Sequence, residues 1–243
     1  MTAARPSRAS AFTLIELLVS IGVIALLLGI LIPALAAALR PAREVKSLAN
    51  LRGIGQTFDS HLADHADTYP SMEIGVQYPV SLSGITYSIG GDPGRWETER
   101  RWFAVMHKTA PLREHGPAWL SPGADVERRL AGGGDFLPSY PMSTSFLAAP
   151  AVWTPGTSPT IDLVRPVRRL VVAHPGRKAL SWDAERAYLR NERTKQKTPV
   201  LFADGHAAAH DEAAATPGFP NPLRDNDNRP IHNTPGGATG VDF

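Results

Sequence analysis

The chain has 243 residues, with 25 Lys and Arg against 23 Asp and Glu, and it contains no cysteine. This length is enough for one domain with a sizeable core. The formal net charge of +2 is spread over interspersed basic and acidic residues, so the composition does not favour a nucleic-acid partner. The lack of cysteine excludes disulfides, a thiol nucleophile and Cys-ligated zinc or iron–sulfur sites.

The first predicted element is a long apolar helix. Residues 17–39 contain no charged side chain. A helix of about 23 residues is roughly 35 Å long, which spans the ~30 Å hydrocarbon core of a bilayer. Pro33 lies inside this run and is predicted to kink or loosen the helix. Arg5 and Arg8 precede the run, and a carboxylate, Glu16, stands at its beginning.

Two interpretations need only the apolar run. A secretory signal cleaved after Ala38 fits the local alanines, although the run exceeds the usual ~7–15 residues. An uncleaved membrane anchor fits the length equally well. Neither gives a reason for Glu16, and a carboxylate close to a bilayer is costly.

A third interpretation rests on the segment AFTLIELLVS, residues 11–20, which resembles the cleavage and assembly signal of type IV pilins and type II secretion pseudopilins. In that family a short basic leader is cut before a Phe, and a Glu is the fifth mature residue. The resemblance implies a cleaved leader over residues 1–11, a cut between Ala11 and Phe12 by a prepilin peptidase, N-methylation of Phe12, and a role for Glu16 in assembly. The family prefers Gly before the cut, where this chain has Ala11.

Charge counting and the resemblance give opposite membrane orientations. The basic residues that follow the span favour a cytoplasmic C-terminus by the positive-inside rule; they are Arg40, Arg43, Lys46 and Arg52. The resemblance implies the reverse: a single pass through the inner (cytoplasmic) membrane with the head outside the cytoplasm, followed by entry into a pseudopilus or fibre. We follow the resemblance.

An apolar stripe continues beyond the span. Its members recur at steps of three and four, as on one face of a helix; they are Val45, Leu48, Leu51, Ile54, Phe58 and Leu62. The pattern predicts a transmembrane helix over 12–39 that continues as an amphipathic helix over 40–70 into the head. The segment DTYP, residues 67–70, is expected to end the helix, because the residue before proline disfavours the α region.

Residues 71–211 are predicted to form a globular α+β head, a small antiparallel sheet on which the long N-terminal helix packs. The segments LVVAH (170–174) and ALSWD (179–183) are strand candidates. The later PVLFADGHAAAH is typical of a hairpin that turns at Asp204 and Gly205. Asp-Gly favours a two-residue type I′ turn, in which both residues have positive φ.

Other parts of the chain give weaker signals. Four tryptophans are expected to be core or loop anchors; they are Trp96, Trp102, Trp119 and Trp153. The tail, residues 212–243, is rich in Pro, Asn and Gly and is predicted to be disordered.

Two further segments extend the resemblance. LANLRGIGQTF with a following YP, and VLFADGHA near the end, are similar to a large bacterial group of pilin-like proteins with a prepilin-type signal and a late FADGH segment. The fuller signature of that group has a His ten residues before the Asp-Gly, where this chain has Thr194. The similarity covers residues 5–70 and, more loosely, 160–210. The similarity implies the architecture of the protein more securely than its role.

Three places in the sequence offer side chains that can bind metals. His61 and His65 are four residues apart, but zincin chemistry needs HExxH, and HLADH lacks the Glu. His206 and His210 have the same spacing inside the predicted hairpin. Residues 225–228, DNDN, offer oxygen ligands but match no calcium loop. We expect no metal and no cofactor.

The sequence also lacks catalytic signatures: it has no nucleophile elbow, phosphate loop or paired-carboxylate pattern. The residue types of a catalytic triad are present in Ser143, Ser145, His174 and Asp183, but an unrelated chain would supply as much. We therefore expect a structural subunit and not an enzyme. Its expected partners are the prepilin peptidase, other pilin-like subunits through the N-terminal helix, and an inner-membrane assembly platform, in a type II secretion or related system. The alternative is a membrane-anchored or secreted ligand-binding module with an ordinary signal or anchor.

Overall fold

The computed structural model describes residues 13–82, 85–90, 94–108, 110–132, 136–189, 197–224 and 227–243. The cleavage position between Ala11 and Phe12 lies outside these residues. Compact packing divides the chain into two units, which meet between Ala42 and Arg43.

Helix α1, Leu14–Asp64, is a single α-helix of 51 residues. The first unit holds its front part, in which every described side chain up to Ala42 is exposed. Pro33 and Pro41 lie inside the helix, although each lacks the N–H that would bond the preceding turn. The long apolar N-terminal helix is thus confirmed, whereas a kink at Pro33 stays a prediction.

The rear part of α1 carries the predicted apolar stripe. Leu51, Ile54, Phe58 and Leu62 are buried in the core of the second unit, and Leu48 packs against it. Val45, the first expected member, is 65% exposed.

Helix α1 ends at Asp64, three residues before the segment DTYP that the sequence predicts to stop it. Ala66 and Asp67 have left-handed backbone, with φ of 52° and 56°. The Asp67 N–H donates to the Leu62 carbonyl at 2.9 Å. A left-handed residue that returns a hydrogen bond to the last turn is a common helix stop.

The strands form two small antiparallel sheets, which confirms the α+β class. A hairpin is made by β1, Gln77–Leu82, and β2, Ile85–Gly90. A three-stranded sheet has the order β3-β4-β5, with the bounds Ala179–Trp182, Thr198–Phe202 and Ala207–His210. Val200 is the centre of this sheet and pairs with Trp182 on one side and Ala208 on the other.

The strand predicted at 170–174 is wrong. A 3₁₀ turn, Arg169–Val171, stands at its beginning. The Arg169 N–H donates to the Asp67 carbonyl at 2.7 Å. The segment therefore bonds to the chain just after α1 instead of joining a sheet.

The rest of the head consists of short helices and connections. The α-helices are α2, Thr98–Val105, α3, Leu112–His115, and α4, Val126–Ala131. Further 3₁₀ turns are Gly94–Glu97, Gly116–Trp119, Thr144–Phe146, Pro150–Trp153, Ile161–Leu163, Ala187–Leu189, Glu212–Ala214 and Gly237–Thr239. Such short elements are what a Pro- and Gly-rich chain allows, because neither residue continues a regular helix well.

Aromatic side chains fill the core between these pieces. The ring of Trp102 lies 5.4 Å from Phe58 on α1 and 5.0 Å from Trp119. Its indole N–H donates to the Tyr140 carbonyl at 2.8 Å, which meets the need of a buried Trp for a polar partner. The four tryptophans named above are all buried, so their predicted anchoring role is confirmed.

The structure corrects the predicted disorder of residues 212–243, since the described part of this tail packs into the head. The Asp242 carboxylate accepts hydrogen bonds from Lys178 Nζ at 3.0 Å and from Ala179 N at 2.8 Å. Thr234 also binds this carboxylate, and both charged side chains are fully buried. Polar composition did not exclude burial here, because Asp242, Lys178 and Thr234 are hydrogen-bonded to one another.

Candidate functional site

The beginning of α1 is built as a capping box. Thr13 precedes the helix, and its carbonyl accepts the first helical hydrogen bond from Leu17 N at 3.2 Å. Glu16 Oε2 accepts from Thr13 N at 2.9 Å and from Thr13 Oγ1 at 2.7 Å. In return Glu16 N lies 3.3 Å from Thr13 Oγ1. This reciprocal pairing satisfies donors that a helix start leaves open.

The capping box gives Glu16 a local role that the sequence reasoning missed. The signal was available, because Thr followed three residues later by Glu before an apolar run is the capping-box pattern. Oε1 of Glu16 bonds none of the described residues. One carboxylate oxygen therefore fixes the first turn of the helix, and the other is free for a partner.

The front part of α1 forms a continuous apolar surface. Its leucines, isoleucines and valines from Leu14 to Leu39 are exposed on every side of the helix. By length and composition it is a helix that can cross a membrane. An apolar surface of this extent in a single chain marks a membrane or partner contact.

A buried polar network fixes the rear part of α1 in the head. Asp183 Oδ2 accepts from Ser47 Oγ at 2.7 Å and from Ser121 Oγ at 2.8 Å, and Oδ1 accepts from Arg186 N at 2.7 Å. Burial raises the pKa of Asp183, although these three donors favour the carboxylate. Sequence reasoning missed this network because its members come from distant segments. The available hint was a serine, Ser47, next to the apolar stripe.

The late Asp-Gly segment connects β4 and β5 as predicted, but through a different turn. Phe202 N–H donates to the His206 carbonyl and Gly205 N–H to the Phe202 carbonyl, both at 2.9 Å. Gly205 has φ of +89°, whereas Asp204 is not among the described residues with positive φ. The loop is therefore a type I turn closed by a left-handed glycine, and the predicted type I′ turn, which needs two residues of positive φ, is wrong.

The hairpin lies against α1 at a glycine. A Cβ on Gly55 would lie 3.1 Å from Leu201 Cδ1 and 3.8 Å from the Gly205 carbonyl oxygen. Only a residue without a side chain allows this approach at no cost. The segments LANLRGIGQTF and VLFADGHA, far apart in the chain, therefore meet in the fold.

The two histidine pairs have different surroundings. The rings of His61 and His65 stack at 3.9 Å, and His65 Nδ1 lies 2.8 Å from the His61 carbonyl oxygen. Burial, together with the nearby His65, lowers the pKa of His61 to about 4. His206 Nδ1 lies 2.6 Å from Asp204 Oδ1, while His210 packs on Phe202.

Metal binding gains no support from these groups. Within the described part of the chain, no three His, Asp or Glu side chains are placed to hold one ion. Of the DNDN segment, Asp225 and Asn226 lie outside the described residues.

The residues of the hypothetical triad are not brought together. Ser143 Oγ and Ser145 Oγ both lie within hydrogen-bond distance of the His232 carbonyl, at 2.8 and 3.2 Å. Asp183 is bonded to Ser47, Ser121 and Arg186 as described, and His174 is exposed. The two serines therefore hold the tail in place.

Residues 6–32 match the family described as the prokaryotic N-terminal methylation motif. No curated protein and no solved structure matches the chain.

The match confirms the prepilin-type signal, and with the long apolar helix it is consistent with a type IV pilin-like protein. The motif implies processing by a prepilin peptidase and assembly with pilin-like subunits. The motif and the helix are also consistent with anchoring in the inner membrane.

Proposed function

We propose that this protein is a structural subunit, and not an enzyme, of a pseudopilus or type IV pilus-like fibre in a type II secretion or related system. A prepilin peptidase cuts it between Ala11 and Phe12 and methylates the new N-terminus. The observation that carries the proposal is the methylation motif over residues 6–32, which runs directly into the exposed apolar part of α1.

The helix suits a subunit that leaves the membrane. Its apolar front part is stable in lipid, and in a fibre the same surface packs against the helices of neighbouring subunits. Arg5 and Arg8 hold the leader at the cytoplasmic face until the peptidase acts, and the head lies outside the cytoplasm. The inner-membrane assembly platform then moves the subunit into the fibre.

Glu16 has a specific part in this scheme. Cleavage creates a positive amine on Phe12, four residues before Glu16 and at similar depth. Thr13 occupies Oε2 of Glu16, so Oε1 remains for the amine of a neighbouring subunit. A desolvated ion pair of this kind sets helix register more than it adds stability, because desolvation offsets much of the attraction.

The test is the N-terminus of the mature protein. Mass spectrometry of membrane-extracted protein should find a chain that starts at methylated Phe12. A start at Leu39 would indicate a secretory signal, and an intact Met1 an uncut anchor; either result favours the alternative, a secreted or anchored ligand-binding module.

Matched variants at the cut sharpen the test. Ala11→Gly, which restores the residue that the family prefers, should be cut at least as completely as the wild type. Ala11→Leu puts a bulky side chain before the cut and should leave the leader attached.

A further inference from the structure

A cleft on the head, remote in sequence from the processing signal, gathers arginines. It has a volume of about 400 Å³ and is lined by α2, α4, the segment 137–141, the residues after β3, and the tail. Four guanidinium groups line it, against two carboxylates; the arginines are Arg100, Arg129, Arg224 and Arg229, and the carboxylates are Glu99 and Glu185.

Two of the arginines share one buried carboxylate. Glu99 Oε2 lies 2.8 Å from Arg224 Nη1, and Glu99 Oε1 lies 3.0 Å from Arg229 Nη2. Burial opposes ionisation of Glu99, but His232, Arg229 and Arg224 outweigh it and hold the pKa of this carboxyl well below its usual value. Both oxygens of Glu99 are engaged, so this group cannot neutralise the cleft any further.

The other two arginines have spare donors. Arg129 Nη2 lies 2.9 Å from Glu185 Oε2. Arg100 is exposed and forms no hydrogen bond or ion pair with any residue that the structure describes. Each guanidinium has five N–H donors in a planar fork that matches the oxygens of a carboxylate or a phosphate.

Among the residues that the structure describes, the charge of the cleft is positive even when the carboxylate next to its lining is counted. Asp227 lies behind the lining and reaches Arg229 Nη2 at 3.4 Å. It cancels one unit of the surplus and leaves one positive charge. His232 Nε2, 3.2 Å from Glu99, adds no negative charge. A concave site of one sign concentrates ions of the opposite sign.

We propose that this cleft binds an oxyanion group, a phosphate or a carboxylate, with Arg100 as the main contact and Arg129, Arg224 and Arg229 as supporting donors. A purely structural ion-pair network explains the arginines that bond Glu99 and Glu185. It does not explain Arg100, which lies in the same lining and has no partner among the described residues.

Isothermal titration calorimetry on the full chain tests the proposal. The protein is held in an uncharged maltoside detergent, so that the detergent supplies no phosphate, and ionic strength is kept constant with chloride. Inorganic phosphate and succinate are the two probes, and they distinguish the two kinds of oxyanion. Saturable binding of at least one probe is expected, and absence of saturable binding for both would overturn the proposal.

Three variants locate the binding. Arg100→Ala removes a charge-assisted contact and should weaken affinity about tenfold. Arg113→Ala removes an arginine on α3 that is also exposed, and this variant should bind as the wild type does. Glu185→Gln keeps an acceptor for Ser139 but frees Arg129 from its carboxylate, and should bind more tightly.

The contrary outcomes are equally definite. Wild-type affinity in Arg100→Ala would overturn the assignment of this cleft. Equal weakening in Arg113→Ala would show nonspecific attraction to surface charge and would overturn it too. Unchanged affinity in Glu185→Gln would contradict the charge argument. Matching circular dichroism spectra establish that each variant is folded.

Discussion

The two ends of the chain reverse the usual relation between composition and burial. In the front part of α1, which is almost entirely apolar, every described side chain up to Ala42 is exposed. In the tail, which is rich in polar residues, His232, Asn233 and Asp242 are fully buried. Whether a segment is buried therefore depends on which partners the rest of the chain offers, and composition alone does not decide it.

The difference assigns the two ends to different surroundings. The front of α1 exposes apolar side chains on every side, and this surface requires contact with lipid or with other helices. The tail packs within the chain, because buried groups such as Asn233 and Asp242 are hydrogen-bonded to the head. Substitutions in the tail should therefore change the stability of the single chain, whereas substitutions at the start of α1 should change assembly.

The largest effect is expected from Asp242→Ala. This change removes the carboxylate partner of Lys178, a fully buried lysine whose pKa is already lowered by burial. Breaking a buried pair on one side costs about 3–5 kcal/mol. Urea denaturation of the full chain in detergent should show a loss of this size, and a change near zero would mean that the tail is not packed in solution.

Two controls make the result specific. Asp59→Ala removes an ion pair with Arg169, 2.6 Å long and exposed on both sides, and should cost less than about 1 kcal/mol. The double variant Lys178→Met with Asp242→Leu replaces both charges by apolar groups. It should recover part of the loss, because it leaves no unpaired buried charge, although Ala179 N–H and Thr234 lose their acceptor.

The second-largest effect is expected from acid, which should weaken the interaction of Glu99 with the tail. The folded pKa of Glu99 lies below its ordinary value of 4.5, so its contribution to stability is complete above that pH and is lost as the pH falls toward the folded pKa. Melting temperatures measured from about pH 6 to about pH 3 should show the wild-type advantage over Glu99→Gln shrinking with acid. A constant difference between the two proteins would contradict this.

The pH dependence of stability that Asp183 contributes has the opposite sign to that of Glu99. The quantity to measure is therefore the difference in melting temperature between wild type and Glu99→Gln. Burial raises its pKa above the ordinary value of 3.8, so protonation favours the folded state as the pH falls. The raw melting temperature mixes both groups, whereas the difference between wild type and Glu99→Gln isolates Glu99.

Between the two ends, the hairpin β4–β5 should respond moderately. Gly205 has φ of +89°, and among the described residues a Cβ there would come within 4 Å of Asp59 Oδ2 alone, at 3.9 Å. Gly205→Val therefore suffers from backbone strain alone, at about 1–3 kcal/mol. Gly205→Asn should lose less, since Asn tolerates the left-handed region. Equal melting temperatures for Gly205→Val and the wild type would refute the left-handed turn.

The sequence predicted those features that depend on neighbouring residues. Hydropathy and the short motif identified the front of α1, because a membrane-length helix and a processing signal are local patterns. Asp204-Gly205 located the hairpin for the same reason. The type of turn was missed, because Asp-Gly is compatible with more than one loop and the register of the strands decides between them.

The features that sequence reasoning missed depend on distant partners. The network of Ser47, Ser121 and Asp183 joins three segments, and none of these residues is distinctive in its own neighbourhood. The tail looked disordered because polar, Pro-rich composition lacks apolar surface to bury. Its buried ion pair with Lys178 becomes visible only when the fold brings the two groups together.

The smallest change in free energy is expected at the other end, where Thr13 and Glu16 can be separated. Thr13→Ala removes the helix cap but keeps the carboxylate, and should cost about 0.5–2 kcal/mol locally. Hydrogen exchange of the first amides of α1 in micelles should then be about twofold to thirtyfold faster. Glu16→Gln removes the charge, yet Gln at this position also completes a capping box, so exchange should change little.

Assembly should show the reverse order of effects. If the free oxygen of Glu16 pairs with the amine of Phe12 on a neighbouring subunit, Glu16→Gln lowers recovery of the protein in sheared fibres or crosslinked complexes. Thr13→Ala, which retains the charge, should be recovered nearly as well as the wild type. Both variants are compared at equal expression, after mass spectrometry has shown equal cleavage. Equal recovery of Glu16→Gln and the wild type would leave Glu16 with the capping role alone, because the charge would then have no partner in the fibre.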